Sequence, residues 1–262
     1  RKHRFEVEML NNRFFSATLA NITAMSALSS YLPDRDKATV MVKSKVSLRG
    51  KKPIKFVDHI YSGSGAMAAV GQARGLRVLI PLLINPFSPV EITGIELDVK
   101  VDYGTRFGTL RSLRVPSGEL QPGKKSYVVV ELERFDGKAI TERIPFTVPK
   151  NVAGSIVKLE VTSGDAARIA AAPPENLDDL LDIFRSLLPG NTYAVTIYTA
   201  NEGVAIGGQL VTDLPPSVAD RLHPRSSTPR TKVYRPMARS VVPAKRVING
   251  KVSTLIKVAN QP

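Results

Sequence analysis

Cysteine and tryptophan are both absent from this chain of 262 residues. The first absence removes disulfides, thiolate metal sites and cysteine nucleophiles together, and it leaves the compartment open. The second, with aromatics at only 6%, argues against a carbohydrate-stacking surface or a stacking platform for single strands. Long apolar runs are missing as well. The longest, around residues 79–84, falls far short of the ~20 residues that a membrane-spanning helix requires. Negative charge is missing from one end: Asp220 is the last carboxylate, and the 42 residues after it hold ten lysines and arginines. Those ten supply most of the net charge of +14, residues 1–60 contribute +7, and residues 61–220 contribute −3. Two cationic ends therefore flank a nearly neutral body. This pattern governs which partners approach, through attraction screened over about 10 Å at moderate salt, without naming one.

What is present describes a folded protein. A hydrophobic content of 43% and a charged content of 23% suit a chain of two or three domains, each with its own core. Because the chain opens on Arg1 rather than Met, we expect a mature or excised segment, and missing targeting signals carry no weight.

Alternation predicts a strand over 5–10, and a spacing of three to four residues through Phe14, Phe15, Thr18, Leu19, Ile22, Met25 and Leu28 predicts a helix over 14–31. Strands are expected over 39–48 and 55–60, then a short alanine-rich helix over 65–74 ended by Gly75. From residue 76 the pattern reads as all-β. The apolar run 77–84 is followed by strands over 92–101, 127–132, 144–148 and 155–161, with Gln121-Pro122-Gly123-Lys124 suited to a type II turn. Short strands with Gly and Pro between them point to an immunoglobulin-like β-sandwich over 76–165. An α+β segment over 1–75 precedes it, and a second α+β segment over 166–262 follows. Within the latter, 166–174 reads as a linker and 176–188 as a helix with an acidic start. Strands 192–199 and 204–211 form a hairpin through Asn201-Glu202-Gly203, and 215–222 forms one or two helical turns. The stretch 223–243 is basic, proline-bearing and extended, and 246–256 is a hairpin turning at Asn249-Gly250. The expected class is thus mainly β with a few helices, α+β, around a central sandwich.

The order of the segments LLINPFSPVEITGIELDV, LQPGKKSYVVVELERFDGK, IPFTVP, LPPSVADRL and VINGKVSTLIKV resembles the region downstream of the protease domain in large exported bacterial proteins of the SpoIVB-peptidase type. The likeness spans nearly the whole chain and rests on degenerate strand patterns. It implies an exported, periplasmic or cell-envelope setting and a serine-peptidase domain placed before Arg1. The family's nucleophile lies in a Gly-Met-Ser-Gly-Ser-Pro-like segment. The nearest match here, Ser62-Gly63-Ser64-Gly65, lacks the Met and the following Pro, so no catalytic residue carries over. The resemblance implies a non-catalytic companion region.

Other motifs are weaker than their bland explanations. Gly63-Ser64-Gly65-Ala66-Met67-Ala68 fits a dinucleotide fingerprint, but no ribose-binding carboxylate follows at the end of the 77–84 segment, so a glycine turn explains it better. Asp58 and His59 with Ser62 or Ser64 contain the residue types of a hydrolase triad, yet neighbours on a strand point to opposite faces. His3 and His223 have no partner signature. Asp178, Asp179 and Asp182 lack a glycine-containing calcium loop and read as an acidic first helical turn, while Glu131 and Glu133 read as the exposed face of a strand. We therefore expect no catalytic, cofactor or metal residue. Arg221, Arg225, Arg230, Lys232, Arg235, Arg239, Lys245 and Arg246 are the candidate contacts for a partner or polyanion. The leading expectation is a protein–protein or interdomain interaction module. The second is a binding module for nucleic acid or another anionic polymer. An enzyme built on Asp58, His59 and Ser64 comes third.

Overall fold

The computed structural model describes residues 3–9, 12–33, 35–169, 173–206, 209–212 and 231–260. The chain is mainly β with few helices, an α+β arrangement of three sheets. In the first, β1 (Ala38–Leu48) lies between β2 (Lys51–Ser62) and β3 (Ile92–Asp102), antiparallel to both. Alternation in β1 turns Val40, Val42 and Val46 to one face, where α1 (Ser16–Ser29), α2 (Gly65–Gly71), α3 (Arg74–Arg77) and α4 (Leu79–Leu83) cover them. Ala17, Val70, Leu76, Leu79 and Leu82 fill this core together with Ile54 and Phe56 of β2.

The second sheet has the order β12 (Val247–Asn249), β4 (Phe107–Arg114), β6 (Lys125–Arg134), β7 (Ala139–Thr147). The third runs β10 (Gln209–Thr212), β9 (Thr192–Ile206), β8 (Ile156–Ser163), β13 (Lys251–Val258), β5 (Glu119–Leu120). A sixth strand, β11 (Thr231–Pro243), pairs with β9 in this third sheet. These two sheets share one core. Val128, Val130, Leu132 and Ile144 from one meet Leu159, Val161, Val195 and Ile197 from the other.

Between β8 and β9 the chain leaves this core. Helix α5 (Leu177–Arg185) packs Leu181 and Phe184 into the helix-covered core of the first sheet. Asn176 caps it, accepting a hydrogen bond from Asp179 N–H at 2.9 Å, and the Asp179 carboxylate accepts Glu175 N–H at 3.1 Å.

Strand pairing runs across the boundaries expected near 75 and 165. The 92–101 strand joins β1 rather than the sheets of the shared core, and residues 192–258 supply much of that core. Several local expectations are corrected. Residues 77–84 are helical, because a short continuous apolar run reads equally as a buried strand or a buried helix, and here it lies on the helical layer. The alanine-rich helix ends at Gly71, and Gly75 sits inside the next short helix. The 5–10 alternation forms no strand over its described residues. Strand β9 continues through Asn201-Glu202-Gly203 and pairs with β10 beyond it. Asn249-Gly250 turns no hairpin: β12 pairs parallel with β4 and β13 antiparallel with β8, so Gly250, at φ +87°, marks the corner where the chain changes sheets. The type II turn forms as expected, with Gly123 at φ +75° and Lys124 N–H on Gln121 O at 3.2 Å. The helical turns expected over 215–222 lie outside the described residues.

Candidate functional site

The nominated cations divide into three groups. Arg221, Arg225 and Arg230 lie outside the described residues. Lys232 and Arg235 are placed by the register of β11, opposite Glu202 and Thr199 of β9. The remaining three have different fates. Arg239 donates from Nε to Thr196 Oγ1 at 3.1 Å and from Nη2 to the carbonyl of Arg168. Arg246 places Nη2 3.6 Å from Glu142 Oε1, while its buried Nε finds no partner among the described residues. Lys245 is exposed. Two of these last three cations, Arg239 and Arg246, are thus engaged within the fold.

The triad-like residues are also engaged. Asp58 is buried on β2 and receives Arg74 Nε at 2.5 Å and Arg74 N–H at 3.0 Å. The same guanidinium donates to the carbonyls of Val57 and Leu187 and lies over the Phe56 ring, 4.9 Å from its centroid. Asp58 therefore anchors α3 and the end of the α5 excursion. Burial lowers the pKa of His59 below its usual value, and the Asp58 charge opposes this less strongly. Ser62 Oγ accepts Ser64 N–H at 3.0 Å, which makes the serine pair a local turn.

Two polar networks escaped the sequence reading. In the shared core, buried Tyr193 donates to Glu142 Oε2 at 2.8 Å. Burial and then the Glu142 charge push its phenol far above the ordinary range. On the other face of β8 and β9, Glu160 accepts Lys158 Nζ at 2.9 Å and Tyr198 Oη at 3.1 Å. Burial alone would raise the pKa of Glu160, but Lys158, the Tyr198 hydrogen bond and the Lys251 charge outweigh it and hold the carboxyl below its usual value. Tyr198 in turn is raised, by burial first and then by Glu160. Alternation does place 158, 160, 196 and 198 on one side of their strands, but the pairing of β8 with β9 lies outside local sequence information.

Next to this network opens a cleft of about 560 Å³ between α5, the residues Ala167, Ile169 and Pro173, and β11. Ile169, Pro173, Ile183 and Leu187 give it an apolar floor, Glu175, Asp179 and Asp182 stand on its α5 side, and Arg239 lines it from β11. The acidic helix start, read from sequence as dipole compensation, thus also forms a wall. Asp182 shares its charge with Arg185 at 2.7 Å. Among the described residues no group of three or more His, Asp or Glu is placed to hold a metal ion.

One basic residue singled out from the sequence, Arg239, and the acidic start of α5 therefore meet at one place, facing each other across the cleft. No protein family, no curated protein and no solved structure matches this chain.

Proposed function

We propose that the chain is a non-catalytic interaction module, which receives a segment of another chain or of an adjoining domain in the cleft between α5 and β11. The observation that carries this reading is the character of the cleft: an apolar floor with three carboxylates, on a chain of net charge +14. An apolar floor rewards buried aliphatic side chains, and the carboxylates favour a lysine or arginine beside them. The occupant is therefore an apolar peptide segment carrying a basic residue. In the same proposal the two sheets that share a core serve as an immunoglobulin-like frame, and the module belongs to an exported peptidase-like protein, as the sequence resemblance implies. The engagement of Arg239 and Arg246 within the fold favours this reading over capture of an anionic polymer.

Selection of displayed peptides on the intact chain tests the proposal. Peptides with Lys or Arg next to aliphatic residues are expected, and Glu175→Lys with Asp182→Lys should weaken their binding by about tenfold or more. Peptides whose binding ignores both substitutions would sink the cleft as the site. Tight, steeply salt-dependent binding of heparin with no peptide selected would move the polyanion reading to the front.

A further inference from the structure

The helical layer over the first sheet carries a second surface, unrelated to the cleft. The spacing of large apolar residues along α1 suggests that Phe15, Leu19 and Ile22 face the core. The structure turns them outward and buries the small face instead, through Ala17 and Ala20. Phe14 is 74% exposed, Phe15 64% and Ile22 59%. Exposed Met67 of α2 lies beside Ile22 across a shallow depression. Arg13 Nε bonds the carbonyl of Leu83 at 3.0 Å, which brings the start of α1 to the end of α4, where Ile80 and Ile84 are each 53% exposed.

Charge on this layer has one sign. Residues 12–33 and 59–90 contain no carboxylate, and their only charged side chains are Arg13, Arg74 and Arg77. Arg74 is held by Asp58 inside the fold, whereas Arg13 and Arg77 are exposed. Positions 77, 80 and 84 follow helical spacing, so exposed Arg77 stands in line with the two isoleucines. Glu6 and Glu8 belong to the 3–9 segment, whose Phe5 ring packs at a tilt against Tyr31 and whose Met9 meets Thr23. They sit at the margin of the face, and Arg4 pairs with Glu6 at 3.8 Å.

We infer that this face docks on an anionic lipid surface, with Phe14, Phe15, Ile22, Ile80 and Ile84 entering the headgroup boundary and Arg13 and Arg77 meeting lipid phosphates. Apolar side chains that stand out from the surface with Arg13 and Arg77 among them match the amphipathic interfacial pattern. A second copy of the chain fits less well, because it would set Arg13 and Arg77 against the same cations, and of the two carboxylates at the margin Glu6 already pairs with Arg4. The contact is peripheral: among the described residues no single helix is long and apolar enough to cross a bilayer. The one pair that passes together, 65–71 with 74–83, is bent by 50° and supplies Val70, Leu76, Leu79 and Leu82 to the core.

Flotation of the intact chain with vesicles tests this, using phosphatidylcholine alone and phosphatidylcholine mixed in equal parts with phosphatidylglycerol. The protein should float with the mixed vesicles. Because the chain lacks tryptophan, Phe15→Trp adds a single indole whose emission should shift to the blue on binding. Phe14→Ser with Ile84→Ser keeps every charge and should lower partitioning by about tenfold or more. These positions are exposed, so the melting temperature of the double variant checks that its fold is retained. Failure to float overturns the proposal. So does flotation unaffected by the apolar substitutions, which would assign lipid attraction to the basic C-terminal stretch. Concentration-dependent self-association abolished by the same substitutions would instead give the face to a second copy.

Discussion

Asp58 shows how a single side chain decides between chemistry and structure. Beside His59 and two serines it has the composition of a hydrolase site, but its carboxylate is only 5% exposed and is held by an arginine that is 11% exposed. A buried pair contributes little net stability compared with a well-packed apolar replacement, yet removing one partner leaves the other charge stranded. Asp58→Ala should therefore cost about 3–5 kcal/mol, measured by urea unfolding, since Arg74 would lose the group that neutralises it. A loss below ~1 kcal/mol would mean that Arg74 finds water or another partner, on the scale of an exposed pair. Arg74 bonds the Leu187 carbonyl as well, so the same substitution should loosen the end of the α5 excursion, visible as faster amide exchange there.

At the scale of elements, close approach rather than hydrophobicity sets how the helical layer sits. A methyl group built on Gly71 would fall 2.7 Å from Met25 of α1, and one on Gly75 would overlap Ser44 of β1. Ser44 Oγ is buried with no hydrogen-bond partner among the described residues, so no such bond draws it aside. Gly75→Ala should then destabilise the protein by about 1–3 kcal/mol through overpacking. Ser44→Gly in the same chain should recover part of that loss, a coupling that a double-mutant cycle in urea reads directly. Equal losses with and without Ser44→Gly would place the clash elsewhere. The same physics explains what was legible in the sequence. Strands such as β1, β6 and β8 were readable because one face of each is buried and their side chains alternate. The start of α5 was readable from its cluster of carboxylates, although the cap at Asn176 was not read, and the turn at Gly123 was readable from a glycine torsion and a local hydrogen bond. The outward turn of Phe15 and Ile22 was not, since periodicity finds an apolar face without saying whether the protein or something else covers it. Nor was α4, whose apolar run lacks the alternation that would tell the two conformations apart. At the candidate site, the acidic start of α5 and Arg239 were visible as residues, but their meeting across a cleft depends on β11 pairing with β9 over a long separation.

For the molecule as a whole, the chain visits its two cores alternately. Residues up to 102 build the helix-covered sheet, 107–163 begin the other core, α5 returns to the first, and 192–258 complete the second. Lys51 to Asp178 at 2.8 Å and Arg185 to the Lys52 carbonyl at 3.0 Å hold the returning helix. This exchange should make unfolding cooperative. Calorimetry is expected to show one transition, and Phe184→Ala, which empties a core position at the cost of about 3–5 kcal/mol, should lower it without splitting it. Two separated transitions would show that the cores melt independently. The alternation also sets a timetable for synthesis. At the usual ~5–20 residues per second, the first sheet waits roughly four to sixteen seconds after Asp102 before Leu181 and Phe184 are made. The third sheet waits longer still, because β13, which lies between β8 and β5, begins only at Lys251, long after β8 ends at Ser163. Until it arrives, one edge of β8 has no partner, and nascent chains on the same messenger are exposed to pairing with one another.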